Sequence, residues 1–134
     1  MDHIAIQLRA LQFLAHRAHN VAKGPTFIQD HEFLGKLYPA YESEYDDVVE
    51  RVIGLGTEQL NISKVNQEAA KISAVHENNT DPDVFFRVLL QGEKDLCALI
   101  KKAVPSATDG TQNLLQGIAD SSEKRIFKLK QRLA

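Results

Sequence analysis

Residues 28–55, IQDHEFLGKLYPAYESEYDDVVERVIGL, decide how the chain folds. Leu34, Leu37, Tyr41, Tyr45, Val48, Val52 and Leu55 recur at steps of three and four, so they line one side of a helix that turns about 100° per residue. The stripe keeps its phase on both sides of Pro39. That predicts one long helix kinked where the proline removes a backbone hydrogen bond, not two separate helices. At about 1.5 Å per residue it spans about 42 Å, long for a chain of 134 residues.

Ahead of this segment, Ile4, Leu8, Leu11, Ala15, Ala18 and Ala22 predict a first helix from Ile4 to Lys23, stopped by Gly24-Pro25. Behind it, Ser63 to Val75 reads as a short helix followed by the polar loop Glu77-Asn78-Asn79-Thr80. Asp81 as cap and Pro82 at the first helical position open a third long helix, which carries Phe85, Val88, Leu89, Leu96, Leu99, Ile100 and Ala103 and ends at Pro105. The last helix opens at residues 108–110 and carries Leu114, Ile118, Ser122, Ile126, Leu129 and Leu133. Four long amphipathic helices with a short crossover helix between the second and third imply an all-α four-helix bundle, read as a single domain over residues 1–134.

Bulk properties narrow the function. Hydrophobic content of 43% and charged content of 25% are ordinary for a globular protein. A net charge of −2 and a pI near 6.2 argue against a nucleic-acid or anionic-membrane surface. The basic residues of the last helix, Lys124, Arg125, Lys128, Lys130 and Arg132, are expected to be solvated around it, so DNA binding is expected to be weak or absent. One cysteine, Cys97, excludes an internal disulfide framework and reads as buried filler in a reducing compartment. No basic-then-apolar leader and no apolar run of about 18 residues is present, which points to the cytoplasm and to no membrane span.

Histidine and carboxylate ligands suit iron or zinc. The first half of the chain offers His16, His19, His31, Asp46 and Glu50. If the first two helices are antiparallel, His19 lies about one turn before their connection and His31 about one turn after it, at the same level of the bundle. His31, Gly35, Asp46 and Glu50 fall within roughly 100° of arc on the second helix. His31 and Asp46, 15 residues apart, are nevertheless separated by roughly 22 Å along that helix, whereas metal–ligand bonds are about 2 Å long. If these residues hold metal together, they do so across an interface, and a two-fold axis near the middle of the second helix would create two such sites at once.

The segment from His19 through Gly24-Pro25-Thr26-Phe27, then Asp30-His31-Glu32, then Asp46-Asp47-Val48-Val49-Glu50-Arg51-Val52-Ile53-Gly54-Leu55-Gly56, resembles the Dps family, the DNA-binding proteins from starved cells or mini-ferritins. The match is strongest over residues 8–56. The resemblance implies a ferritin-like four-helix bundle that assembles into a homo-oligomeric, dodecameric shell. It also implies that Fe(II) is oxidised, usually by hydrogen peroxide, and stored as ferric mineral, which protects against oxidative damage. It assigns His19 and His31 as metal ligands and catalytic residues from one subunit, with Asp46 and Glu50 from its neighbour and Arg51 as a structural neighbour of Glu50.

Two departures stand out. Gly35 occupies a position where the family often has an aspartate, so one ligand is missing; Glu32 or Asp47 are candidates to compensate, although each reads more simply as a surface carboxylate. Asn20 stands where the family usually has tryptophan, and the chain contains none. Asp109 and Asp120 are candidates for a pore. Two other classes remain open: an oligomer that binds a metal such as zinc with little oxidation activity, and a purely structural helical assembly.

Overall fold

The computed structural model describes residues 1–134 as five α-helices and one 3₁₀ turn, with no strands. Helix α1 covers Asp2–Val21, α2 Phe27–Leu55, α3 Ile62–Ala74, α4 Pro82–Ala103 and α5 Asp109–Leu133; the 3₁₀ turn Val104–Ser106 links the last two. The long helices α1, α2, α4 and α5 form an all-α, ferritin-like bundle, and α3 is the crossover packed on α1. No helix is long and apolar enough to cross a membrane.

The boundaries follow local chemistry. Ala22 turns extended (φ −53°, ψ 138°) and Gly24 takes φ +88°, a left-handed conformation open to glycine, so α1 ends two residues before the expected Lys23. Gly56 closes α2 at φ +64°, its N–H bonded to the Val52 carbonyl. Side chains cap the later helices: Asn61 accepts from the Lys64 N–H, Asp81 from Asp83, and Thr108 from Thr111. Helix α2 runs unbroken through Pro39, as its stripe predicts.

The core draws on every long helix. Ile4, Leu8, Leu11 and Ala15 of α1 meet Leu34, Leu37, Tyr41, Tyr45 and Val48 of α2, together with Phe85, Phe86, Leu89, Leu96 and Ile100 of α4 and Leu115, Ile118 and Leu129 of α5. Two expectations need correction. Leu55, the last residue of α2, is 45% exposed, because the end of the stripe runs past the core. On α5 the buried face is Thr111, Leu115, Ile118, Ser122, Arg125 and Leu129, and the expected Leu114 and Ile126 are only half-buried. Steps of four advance about 400°, so repeated fours drift off a face that alternating threes and fours hold.

That corrected face changes the reading of the basic residues. Arg125 is buried, bonded to Glu93 and Glu44, and Arg132 pairs with Asp30 and Asp83. Lys124 pairs with Asp120 on the surface. The cluster expected to be solvated therefore commits both guanidiniums to internal pairs, because α5 turns those two positions toward acids of α2 and α4.

Arg132 ties the end of α5 to the start of α2. Its Nε and Nη2 donate to the two oxygens of Asp30 at 2.9 Å, and Thr26 adds a bond of 2.7 Å. Burial alone would raise the Asp30 carboxyl, but these hydrogen bonds and the Arg132 charge outweigh it and hold the group below its ordinary 3.8. A depressed carboxyl contributes stability that is full above the unfolded value and drains away as pH falls through the folded one. Asp30→Asn should therefore cost about 1.5–3 kcal/mol at neutral pH. The variant should also show a smaller loss of stability below about pH 4, measured by thermal unfolding across that range.

Candidate metal centre

The five-residue connection 22–26 folds α2 back along α1 and sets His19, in the last turn of α1, against His31, in the first turns of α2. Their rings stack with centroids 3.8 Å apart and planes 18° from parallel. Each ring also bonds the other's backbone: His19 Nδ1 lies 2.9 Å from the His31 carbonyl, and His31 Nδ1 lies 3.1 Å from the His19 carbonyl. The His19 carbonyl belongs to the last four of α1, which have no partner within the helix, so the second bond also satisfies an orphaned acceptor.

These two bonds fix the chemistry of the pair. A carbonyl only accepts, so each Nδ1 must carry the hydrogen. In a neutral ring of that tautomer, Nε2 keeps a free lone pair. This is the arrangement in which metal-binding imidazoles are held, with one nitrogen anchored by a backbone carbonyl and the other left to ligate. Both rings are half-buried.

The face of α2 beneath the pair explains the glycine. His31, Gly35 and Tyr38 lie on one side of the helix at steps of four and three. Against them α1 lays His19 and His16. His16 stacks on Tyr38 at 4.0 Å, and Tyr38 stands 5.5 Å from His19 at a tilt of 60°. Phe27 closes the other side of His31 at 4.9 Å. A β-carbon on Gly35 would come within 3.1 Å of His19 Cε1 and 3.3 Å of its Nδ1. Position 35 is therefore the floor on which the His19 ring lies. A carboxylate there and the ring in this place compete for the same space.

The remaining candidates are distributed as follows. His16 sits 6.4 Å from His19 and belongs to Tyr38. Asp46 and Glu50 are exposed farther along α2, and Asp46 borders an open cleft with Arg9, Pro39 and Tyr45. Arg9 stacks over the Tyr45 ring at 3.7 Å and bonds Asn66 and Gln12. Arg51 reaches Thr111 of α5 at 3.4 Å. Of the residues considered as substitutes, Glu32 pairs with Lys36 on the surface, and Asp47 is exposed. Within one chain no three histidine, cysteine or carboxylate side chains gather as a metal site. Sequence reasoning found both histidines but missed Phe27 and Tyr38, although their spacing of four before and seven after His31 marks them as neighbours on its face.

A family model described as "Ferritin-like domain" matches residues 2–134. The chain is also similar to "DNA protection during starvation protein 2" of Bacillus anthracis, with 27% identity over 118 residues that cover 86% of this chain and 81% of that protein.

Gly35→Ala tests the floor directly. The gain in helix propensity, about 1 kcal/mol, opposes a crowding cost of about 1–3 kcal/mol, so unfolding stability should change little. Displacing the His19 ring should nevertheless weaken Co(II) binding about tenfold or more, measured by titration of the visible absorbance. Unchanged affinity would show that the ring yields without consequence.

Proposed function

On the premise that this chain belongs to the ferritin-like domain family, the superfamily that includes the Dps proteins, we propose that it is an iron-oxidising and iron-storing mini-ferritin. Its substrate is Fe(II), held by His19 and His31 of one subunit and by Asp46 and Glu50 of the neighbour. The observation that carries the proposal is the histidine pair, whose Nδ1 atoms are tied to carbonyls so that each ring keeps its own Nε2 lone pair free for a metal ion.

The second chain is required by length. Helix α2 is continuous from Phe27 to Leu55, so His31 and Asp46 keep their separation of roughly 22 Å. A two-fold partner brings its Asp46 and Glu50 to the first chain's histidines, and the reciprocal site forms by symmetry. Two neutral imidazoles and two carboxylates balance the charge of Fe(II) and favour the more highly charged Fe(III). Hydrogen peroxide takes two electrons, one from each of two irons, and with two protons leaves as two waters. The ferric product hydrolyses and collects inside a hollow homo-oligomer, proposed to be a dodecamer that works in the cytoplasm. With Arg125 and Arg132 paired internally, DNA is not proposed as a partner.

Zinc is the second reading. Imidazole and carboxylate donors also suit Zn(II), and Gly35 supplies no further carboxylate. Metal analysis of the purified protein beside an oxidation assay separates the two.

His31→Ala and Asp46→Ala should each slow Fe(II) oxidation by at least about tenfold with particle mass unchanged. Mixing the two variants as unfolded chains and refolding them together should then restore activity. In a pair formed from one chain of each, one site loses both halves and the other keeps both. Random pairing therefore recovers about a quarter of the sites. No recovery on mixing, or full rates in both single variants, rejects a centre shared in this way.

A further inference from the structure

In bundles of this architecture that carry a metal centre in their interior, inward-facing glutamates and Glu-x-x-His pairs surround it at mid-height. This chain has two glutamates at that level, Glu44 in the middle of α2 and Glu93 in the middle of α4. Glu93 is fully buried. Neither is followed three residues later by histidine: those positions are Asp47 and Leu96. The imidazoles of an interior centre are missing.

A cation is present all the same. The Arg125 guanidinium reaches in from α5 and bonds every oxygen of both carboxylates. Nε lies 3.1 and 2.9 Å from Glu93 Oε1 and Oε2, Nη1 2.7 Å from Glu44 Oε1, and Nη2 3.0 Å from Glu44 Oε2. Tyr41 lies beneath, its ring 4.9 Å from the guanidinium carbon. Its hydroxyl is wholly buried beside Glu93 and makes no well-formed hydrogen bond. Burial, and next the charge of Glu93, push that hydroxyl well above its ordinary range.

We propose that Arg125 is the resident cation of this interior carboxylate pair: it closes the middle of the bundle to divalent metal, and its removal opens a metal site on Glu44, Glu93 and Tyr41. The site offers only oxygen donors, so it takes a hard divalent ion such as Mn(II). The proposal concerns one subunit's interior and is independent of the shared histidine centre.

The test compares two chains, both carrying Asp46→Ala to disable the interface site, one with Arg125 and one with Arg125→Ala. With Mn(II) in about hundredfold excess over its dissociation constant, the Arg125→Ala chain should gain at least about 5 °C in Tm. The Arg125 chain should not respond, and adding Glu93→Gln to the Arg125→Ala chain should abolish the gain. No gain in Arg125→Ala, or an equal gain with Glu93→Gln, overturns the proposal. If Arg125→Ala does not fold alone, it is refolded with Mn(II): recovery of the helical protein supports the site, and failure to recover overturns it.

Discussion

An imidazole with one nitrogen committed to a backbone carbonyl has one lone pair left to offer, and the centre depends on that commitment being made twice. Because α1 and α2 are antiparallel, the two commitments are reciprocal: each ring is oriented by the other's main chain. Neither histidine can rotate without breaking a hydrogen bond and unstacking its partner. The connection at residues 22–26 therefore sets the orientation of the two rings as well as the path of the chain, and Phe27 and Tyr38 wall in what it brings together.

The same geometry explains which parts were legible from the residues alone. Apolar spacing gave α2 to within a residue of each end, including its passage through Pro39, because a stripe that keeps phase has only one helical explanation. Caps located the start of α4 for the same reason: Asp81 and Pro82 each act locally. The level shared by His19 and His31 followed from an antiparallel hairpin. Their stacking and hydrogen bonds did not, since these depend on how closely the two helices approach and on the room that Gly35 leaves for the His19 ring. Read as a string, Gly35 is a missing carboxylate; in three dimensions it is the floor beneath the His19 ring.

Arg125 was illegible for a different reason. Basic residues on an amphipathic helix are normally solvated, and two acids far away in sequence, 81 and 32 residues off, overturn that default. Removing one partner from such a buried network leaves an uncompensated charge and is costly, even where the intact network adds little net stability. The interior polar cluster and the apolar core around it thus answer to different rules: the core tolerates exchange of one hydrocarbon for another, whereas each carboxylate oxygen of the cluster is met by a donor on Arg125.

Helix α2 has one more property that follows from its continuity. It carries the histidine half of the proposed centre at one end and the carboxylate half toward the other, and as a rigid rod it holds them apart like the marks on a ruler. If the centre is shared as proposed, a solitary chain cannot complete it, because its own two halves never meet. Ion capture and subunit pairing would then be a single equilibrium, in which every bound cation adds to the stability of the pair. Newly made chains would stay silent until they find one another, and redox chemistry would begin only where there is a shell to enclose its product.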